Sequence, residues 1–225
     1  MNVIVPRSGS AAFVAFLAGA LVALVTVPPV AHPAPTLRVY RLRPDPRMCP
    51  APLCGGYFAS EVNRVQTACA DGVFRPVCHV LTVDTAAVLP PAQWARLQRQ
   101  LPTDQVVVAG MLATTGPDNG LPAEDSLIAS TVWRSTSAHS TTKPVWLVAD
   151  TGVRCITNPC FSLRATLVNG TPTARLSSLR GWRAPIPGRG LLAAGTIVRV
   201  PHAGPAGTGR ELVASRVWLP MIPAG

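Results

Sequence analysis

One segment constrains this chain more than any other: Arg47–Phe58, RMCPAPLCGGYF, has a shortened echo, RCITNPCF, at Arg154–Phe161. Both hold Cys-x4-Cys with a proline inside the loop. Cys49, Cys54 and Asn63 correspond to Cys155, Cys160 and Asn169 at one offset of 106 residues, which also lays Val39-Tyr40 over Val145-Trp146. Farther on, an offset of 85 superposes Val107–Gly110 on Leu192–Gly195 and Leu127–Trp133 on Leu212–Trp218. Separate blocks that each keep a constant offset point to an internal duplication. The first copy is longer by the difference of the two offsets, and Cys69 and Cys78 fall in the extra stretch.

Each copy then reads strand, strand, strand, connector, strand, strand. Alternating apolar and polar residues predict strands over Leu37–Leu42, Tyr57–Val65, Val77–Val83, Val106–Thr114 and Ser126–Trp133 in the first copy. In the second they predict Pro144–Ala149, Phe161–Val168, Thr173–Leu179, Gly190–Val200 and Glu211–Leu219. Pro91–Leu101 is a short helix, with Pro91 in its first turn and Trp94, Leu97 and Leu101 on one stripe. At the corresponding place the second copy has Pro185 and Pro187, which forbid more than one helical turn. Asp71-Gly72 and Asn169-Gly170 mark tight turns, and residues 116–120, GPDNG, an exposed loop.

The expected fold class is mainly β: two tandem copies of a small five-stranded, disulfide-pinned unit, with one short helix in the first. An OB-like barrel for each copy fits this order, as do a plain meander and one larger barrel shared by both. The expected organisation is a signal peptide over 1–34, a first repeat over 35–134 with the Cys69/Cys78 insertion, a polar linker over 135–142, and a second repeat over 143–225. The signal reading rests on Arg7, the apolar run Ala11–Val27, Pro28-Pro29 and the small residues Ala31 and Ala34. The run is short for a comfortable membrane span, so an uncleaved anchor is the lesser alternative.

An exported chain with six cysteines favours disulfides, and six cysteines allow fifteen connectivities. The second copy owns only Cys155 and Cys160, so the simplest scheme pairs Cys49 with Cys54, Cys155 with Cys160, and Cys69 with Cys78 across the Asp71-Gly72 turn. Pairing between copies, a four-thiolate zinc site and a redox-active dithiol stay open at this stage.

Cys49–Phe58, followed by Asn63-Arg64, Cys69-Ala70-Asp71-Gly72 and Cys78, resembles a family of exported bacterial proteins catalogued as a domain of unknown function and often found in predicted lipoproteins. That family's second half carries Gly-x-Arg-Cys-Ile-x-x-Pro-Cys, matched by Gly152, Arg154, Cys155, Ile156, Pro159 and Cys160. The resemblance spans about Leu37–Leu219. It implies a cell-envelope or secreted protein and assigns no activity. No cysteine closely follows the apolar run, which argues against lipidation here.

The formal charge of +10 comes almost entirely from arginine, with Lys143 the single lysine. Such a surface suits anionic envelope components or another exported protein, and makes nucleic acid an unlikely partner outside the cytoplasm. The basic residues look scattered along the chain, with no aromatic-basic platform in any one stretch. No catalytic fingerprint occurs. Of four histidines only His79 lies in a predicted strand, with Asp71 and Asp84 nearby in sequence, and it reads as a half-buried structural residue. Tyr40, Trp133, Trp146 and Trp218 are the repeated aromatics to inspect for binding, against the alternative that they fill the core. No metal or cofactor is expected. The expected function is that of an exported, non-catalytic binding module. The alternatives are a secreted protease-inhibitor-like module and an unrecognised envelope enzyme.

Overall fold

The strands form where apolar residues alternate, and their ends fall at prolines, glycines and left-handed asparagines. In a computed structural model, which describes residues 38–49, 54–115, 124–138, 140–201 and 207–221, the first half holds β1 (Arg38–Pro44), β2 (Tyr57–Glu61), β3 (Thr67–Ala68), β4 (Phe74–Arg75), β5 (Cys78–Val80), β6 (Thr82–Asp84), α1 (Pro91–Gln98), β7 (Val106–Thr115) and β8 (Glu124–Ser135). The second holds β9 (Val145–Asp150), β10 (Leu163–Leu167), β11 (Thr173–Leu176), β12 (Ser178–Arg180), β13 (Leu191–Pro201) and β14 (Thr208–Pro220). The expected signal, the 116–120 loop, His32, His139 and His202 lie outside the described residues.

Two predicted strands are broken. Val77–Val83 divides at Leu81, whose N–H donates to the Asp125 carbonyl (2.8 Å). Thr173–Leu179 divides at Ser177, whose N–H donates to the Arg210 carbonyl (2.7 Å). At each break the chain leaves one neighbour and joins another: β5 pairs with β2 but β6 runs parallel to β8, and β11 pairs with β10 but β12 runs parallel to β14. A two-residue hairpin, β3–β4, also forms in the Cys69–Cys78 insertion, too short to announce itself by periodicity.

All strands but that hairpin belong to one sheet. Read outward from the contact of β8 with β14, the order is β8-β7-β1-β2-β5 one way and β14-β13-β9-β10-β11 the other. Both arms are interrupted once by a bulge, at Ala109/Gly110 and at Ala194/Gly195. A Cβ on Gly110 would collide with the Ile128 carbonyl, and one on Gly195 with that of Val213, so the close approach at each bulge requires glycine.

Among the described residues a barrel, one of the arrangements that the element order allows, is not continuously closed: the third strand of each half is split, at Leu81 and at Ser177, before it reaches the last strand of that half. β14 is long enough to divide one edge between two partners. β14 gives the first part of that edge to β12 (Glu211–Val213) and its end to β8 (Trp218–Pro220). The first part thus bridges back within the second half, and only the end joins the first half.

Burial follows the same plan. One apolar cluster lies in the first half, around Tyr40, Leu42, Val80, Trp94, Leu97, Leu101 and Leu127. Another lies in the second, around Val148, Leu176, Leu191 and Leu212. A third is shared: Val62, Val107 and Trp133 from one half meet Val145, Val168, Leu192 and Trp218 from the other.

Two asparagines tie this seam. Asn63 and Asn169 both adopt left-handed backbone, φ 62° and 55°, which asparagine tolerates better than other non-glycine residues. Asn63 Nδ2 donates to the carbonyls of Val145 (2.8 Å) and Val168 (2.9 Å), and its Oδ1 accepts from Val145 N–H (2.9 Å). Asn169 reciprocates: Nδ2 donates to Val39 (2.7 Å) and Val62 (3.0 Å) carbonyls, and Oδ1 accepts from Val39 N–H (2.9 Å).

Candidate functional site

The cysteines pair locally: Cys49–Cys54, Cys69–Cys78 and Cys155–Cys160. Pairing between the halves and a shared thiolate site do not occur, because every cysteine is consumed within its own loop. Three disulfides suggest an oxidising, extracellular environment. Among the described residues no helix is long and apolar enough to cross a membrane.

Each Cys-x4-Cys loop is held at its root by an aspartate–arginine pair. Arg47 donates through Nε and Nη2 to both oxygens of Asp45 (2.9, 3.0 and 2.7 Å), and its backbone N–H donates to Oδ1 (2.9 Å). These bonds, led by the guanidinium, hold the Asp45 carboxyl down at about 2. In the other loop, Arg154 donates to Asp150 from two guanidinium nitrogens (3.0 Å each), and that carboxyl is likewise lowered.

His79 joins the first root. Its Nε2 lies 2.7 Å from the Gly55 carbonyl and 3.3 Å from Asp45 Oδ2. The ring tilts against Phe58, centroids 5.7 Å apart, while the Arg47 guanidinium lies 5.1 Å over the same phenyl ring. Neither carboxylate near His79 in sequence reaches it: Asp71 pairs with Arg75 (2.7 Å), and Asp84 accepts from Ala86 N–H (3.0 Å). Among the described residues no hydroxyl or thiol bonds to His79. The contact ties the loop to β5 and arms no nucleophile.

The repeated aromatics are inside. Tyr40, Trp133 and Trp218 are 2%, 7% and 1% exposed, and Trp146 is half-buried. Tyr40, Trp133 and Trp218 belong to apolar clusters, and Trp146 packs against one. Trp218 Nε1 donates to the Asp104 carbonyl (3.1 Å) and Trp146 Nε1 to that of Gly195 (3.3 Å). Trp133 also lines a cleft of about 390 Å³ beside Asn169. Arg216 is buried at the seam, with Nε donating to Ser135 Oγ (2.9 Å) and its guanidinium 5.0 Å from the Trp218 ring. Burial pushes its pKa down, against the opposing pull of Asp104.

The surface feature that linear reading missed is a basic groove on the second half. Pairing of β10 with β11 sets Arg164 directly opposite Arg175, and pairing of β13 with β14 sets Arg199 directly opposite Arg210. Arg175, Arg199 and Arg210 line a groove of about 520 Å³ with Phe161, Thr173 and Thr208. A contiguous hollow of about 450 Å³ shares Phe161 and Arg175, and is walled by Arg164, Val153 and the Cys155–Cys160 loop. Neither hollow has an acidic lining residue. These arginines are far apart in the chain and only register brings them together.

Fold and site together define a class: a mainly β, disulfide-pinned protein with locally closed loops. Within that class, the chain belongs to the family described as Domain of unknown function (DUF6748), which it matches over residues 38–224. No curated protein and no solved structure matches it.

Proposed function

We propose that the chain is an exported bacterial protein, built by tandem duplication, that serves as a non-catalytic binding module of the cell envelope or exterior. One observation carries the binding reading: the ends of both Cys-x4-Cys segments are tied by disulfides and Asp–Arg pairs, yet Met48, next to Cys49, and Ile156 are fully exposed. A loop fixed by covalent and ionic links loses little entropy when it meets a partner. The disulfides and the apolar segment Ala11–Val27 support export. The matched strand order of the two arms, their matched bulges and the reciprocal asparagines support duplication.

The test is fractionation of a bacterial host expressing the full chain, with alkylation of free thiols, followed by assay of the purified protein on a panel of envelope hydrolase substrates. Expected are six blocked cysteines outside the cytoplasm and no turnover. Reactive thiols in a cytosolic pool, or turnover abolished by His79→Ala, would refute it.

A second reading, a protease-inhibitor-like module, is favoured by the full exposure of Ile156 within the Cys155–Cys160 loop. Inhibition across a protease panel, lost in Ile156→Gly, is its expected result; unchanged behaviour of that variant removes it.

A further inference from the structure

We infer that the groove of the second half is a binding site for an anionic glycan chain, a reading that rests on the non-catalytic binding role proposed above. The first argument is the charge arrangement. Like charges directly opposite one another across a strand pair destabilise a sheet. This sheet carries two such pairs side by side, Arg164 with Arg175 and Arg199 with Arg210. Two acids on neighbouring strand positions are engaged with other arginines: Asp150 with Arg154 (3.0 Å) and Glu211 with Arg180 (2.6 Å).

The second argument comes from the other half, which solves the same positions without that cost. The counterpart of Arg199 opposite Arg210, at the offset of 85, is Thr114 opposite Asp125, joined by a hydrogen bond of 2.9 Å. The counterpart of Arg164 opposite Arg175 is Phe58 opposite His79, a tilted ring pair. The scaffold therefore does not require arginine at these places. Four guanidinium groups that make no ion pair among the described residues are what a site for repeated carboxylate, sulfate or phosphate groups needs, since guanidinium meets each of these bidentately.

The third argument is shape and lining. The two hollows run together through Phe161 and Arg175, so the groove is elongated. Phe161 lies at its middle with Val153 and Pro159 beside it, an apolar surface on which the C–H face of a sugar ring can rest. The hydroxyls of Thr173 and Thr208 lie at the other end.

The test measures binding of the full chain to a defined oligogalacturonate, a neutral oligosaccharide and inorganic polyphosphate. Expected is salt-dependent binding of the galacturonate and none of the neutral sugar. Affinity should fall about tenfold or more in Arg164→Gln/Arg175→Gln and in Arg199→Thr/Arg210→Asp, the latter grafting the first half's pair. The control Arg96→Gln/Arg99→Gln at the C-terminal end of α1, equal in charge change to the first groove variant, should stay within about twofold. Phe161→Ala should weaken galacturonate while leaving polyphosphate unchanged. Both groove variants should melt no lower than the parent at low salt, because each relieves repulsion. Equal losses in groove and control variants, or no galacturonate binding, would overturn the site. Equal effects of Phe161→Ala on both anions would overturn its glycan character. Any of these leaves the binding-module reading standing, whereas turnover of the bound chain would defeat both.

Discussion

Removing one asparagine from the seam isolates how the halves are joined. Asn63→Ala deletes three hydrogen bonds to the second half, at 2.8, 2.9 and 2.9 Å. Each is worth about 0.5–1.5 kcal/mol net, and partly buried groups left without partners lie toward the upper end. Alanine must also hold φ near 62°, at roughly 1–2 kcal/mol. The expected loss is about 4–6 kcal/mol, a large fraction of the roughly 5–15 kcal/mol that holds a domain folded. Asn63→Gly removes the bonds but keeps the backbone comfortable, so it should lose about 1–2 kcal/mol less than alanine. Urea unfolding with the disulfides intact gives both values. Because Asn169 grips Val62, next to Asn63, the double variant Asn63→Ala/Asn169→Ala should depart from additivity by at least about 0.5 kcal/mol. A loss below about 1 kcal/mol for Asn63→Ala, or strict additivity of the pair, would refute the reasoning: the shared apolar cluster alone would then join the halves.

Other consequences can be measured alongside. Asp45 is held at about 2 in the folded protein against 3.8 for the free group, so its contribution is fully present above the unfolded value and is lost as pH falls through about 2. The urea midpoint should therefore drop between about pH 4 and pH 2, and Arg47→Gln should flatten that part of the profile; an unchanged profile would show that the pair does not anchor the loop. Gly195→Ala should cost about 1–3 kcal/mol or more through collision with the Val213 carbonyl, whereas Gly188→Ala, which meets open space, should be near neutral in thermal melts. Replacing both Cys69 and Cys78 by alanine frees a link between residues nine apart and should cost somewhat under 3 kcal/mol, read as a shift in urea midpoint.

Much of the local structure was legible because its causes are local. Pro91, Trp94 and Leu97 set the helix, ending at Gln98 and followed by a separate 3-10 turn at Leu101–Thr103. Asp71-Gly72 and Asn169-Gly170 turn where those pairs must turn. The broken strands were not legible: nothing in the alternation of Val77–Val83 says that Leu81 will exchange one neighbour for another. The basic groove was hidden for the same reason. Arg164, Arg175, Arg199 and Arg210 look scattered along the chain, and the usable signal was the offset of 85 between the two halves, which sets Thr114 and Asp125 against Arg199 and Arg210. The Asp45–His79 contact was missed because the eye goes to Asp71 and Asp84, close in sequence but engaged elsewhere.

By itself, the sequence determined the mainly β class and most of the order of elements, and it made the local pairing of cysteines that lie five or nine residues apart the simplest of several schemes. Each depends on short-range geometry: side-chain alternation, turn chemistry and the reach of a short loop. Tertiary structure alone decided that β8 and β14 meet, that one sheet spans both halves, that a third apolar cluster forms between them, and that arginines face arginines. Those outcomes depend on which strand edge pairs with which, and in what register. Alternation records only which face a side chain takes, so a chain that specifies its faces well still leaves its neighbours to be chosen by the packing of the whole.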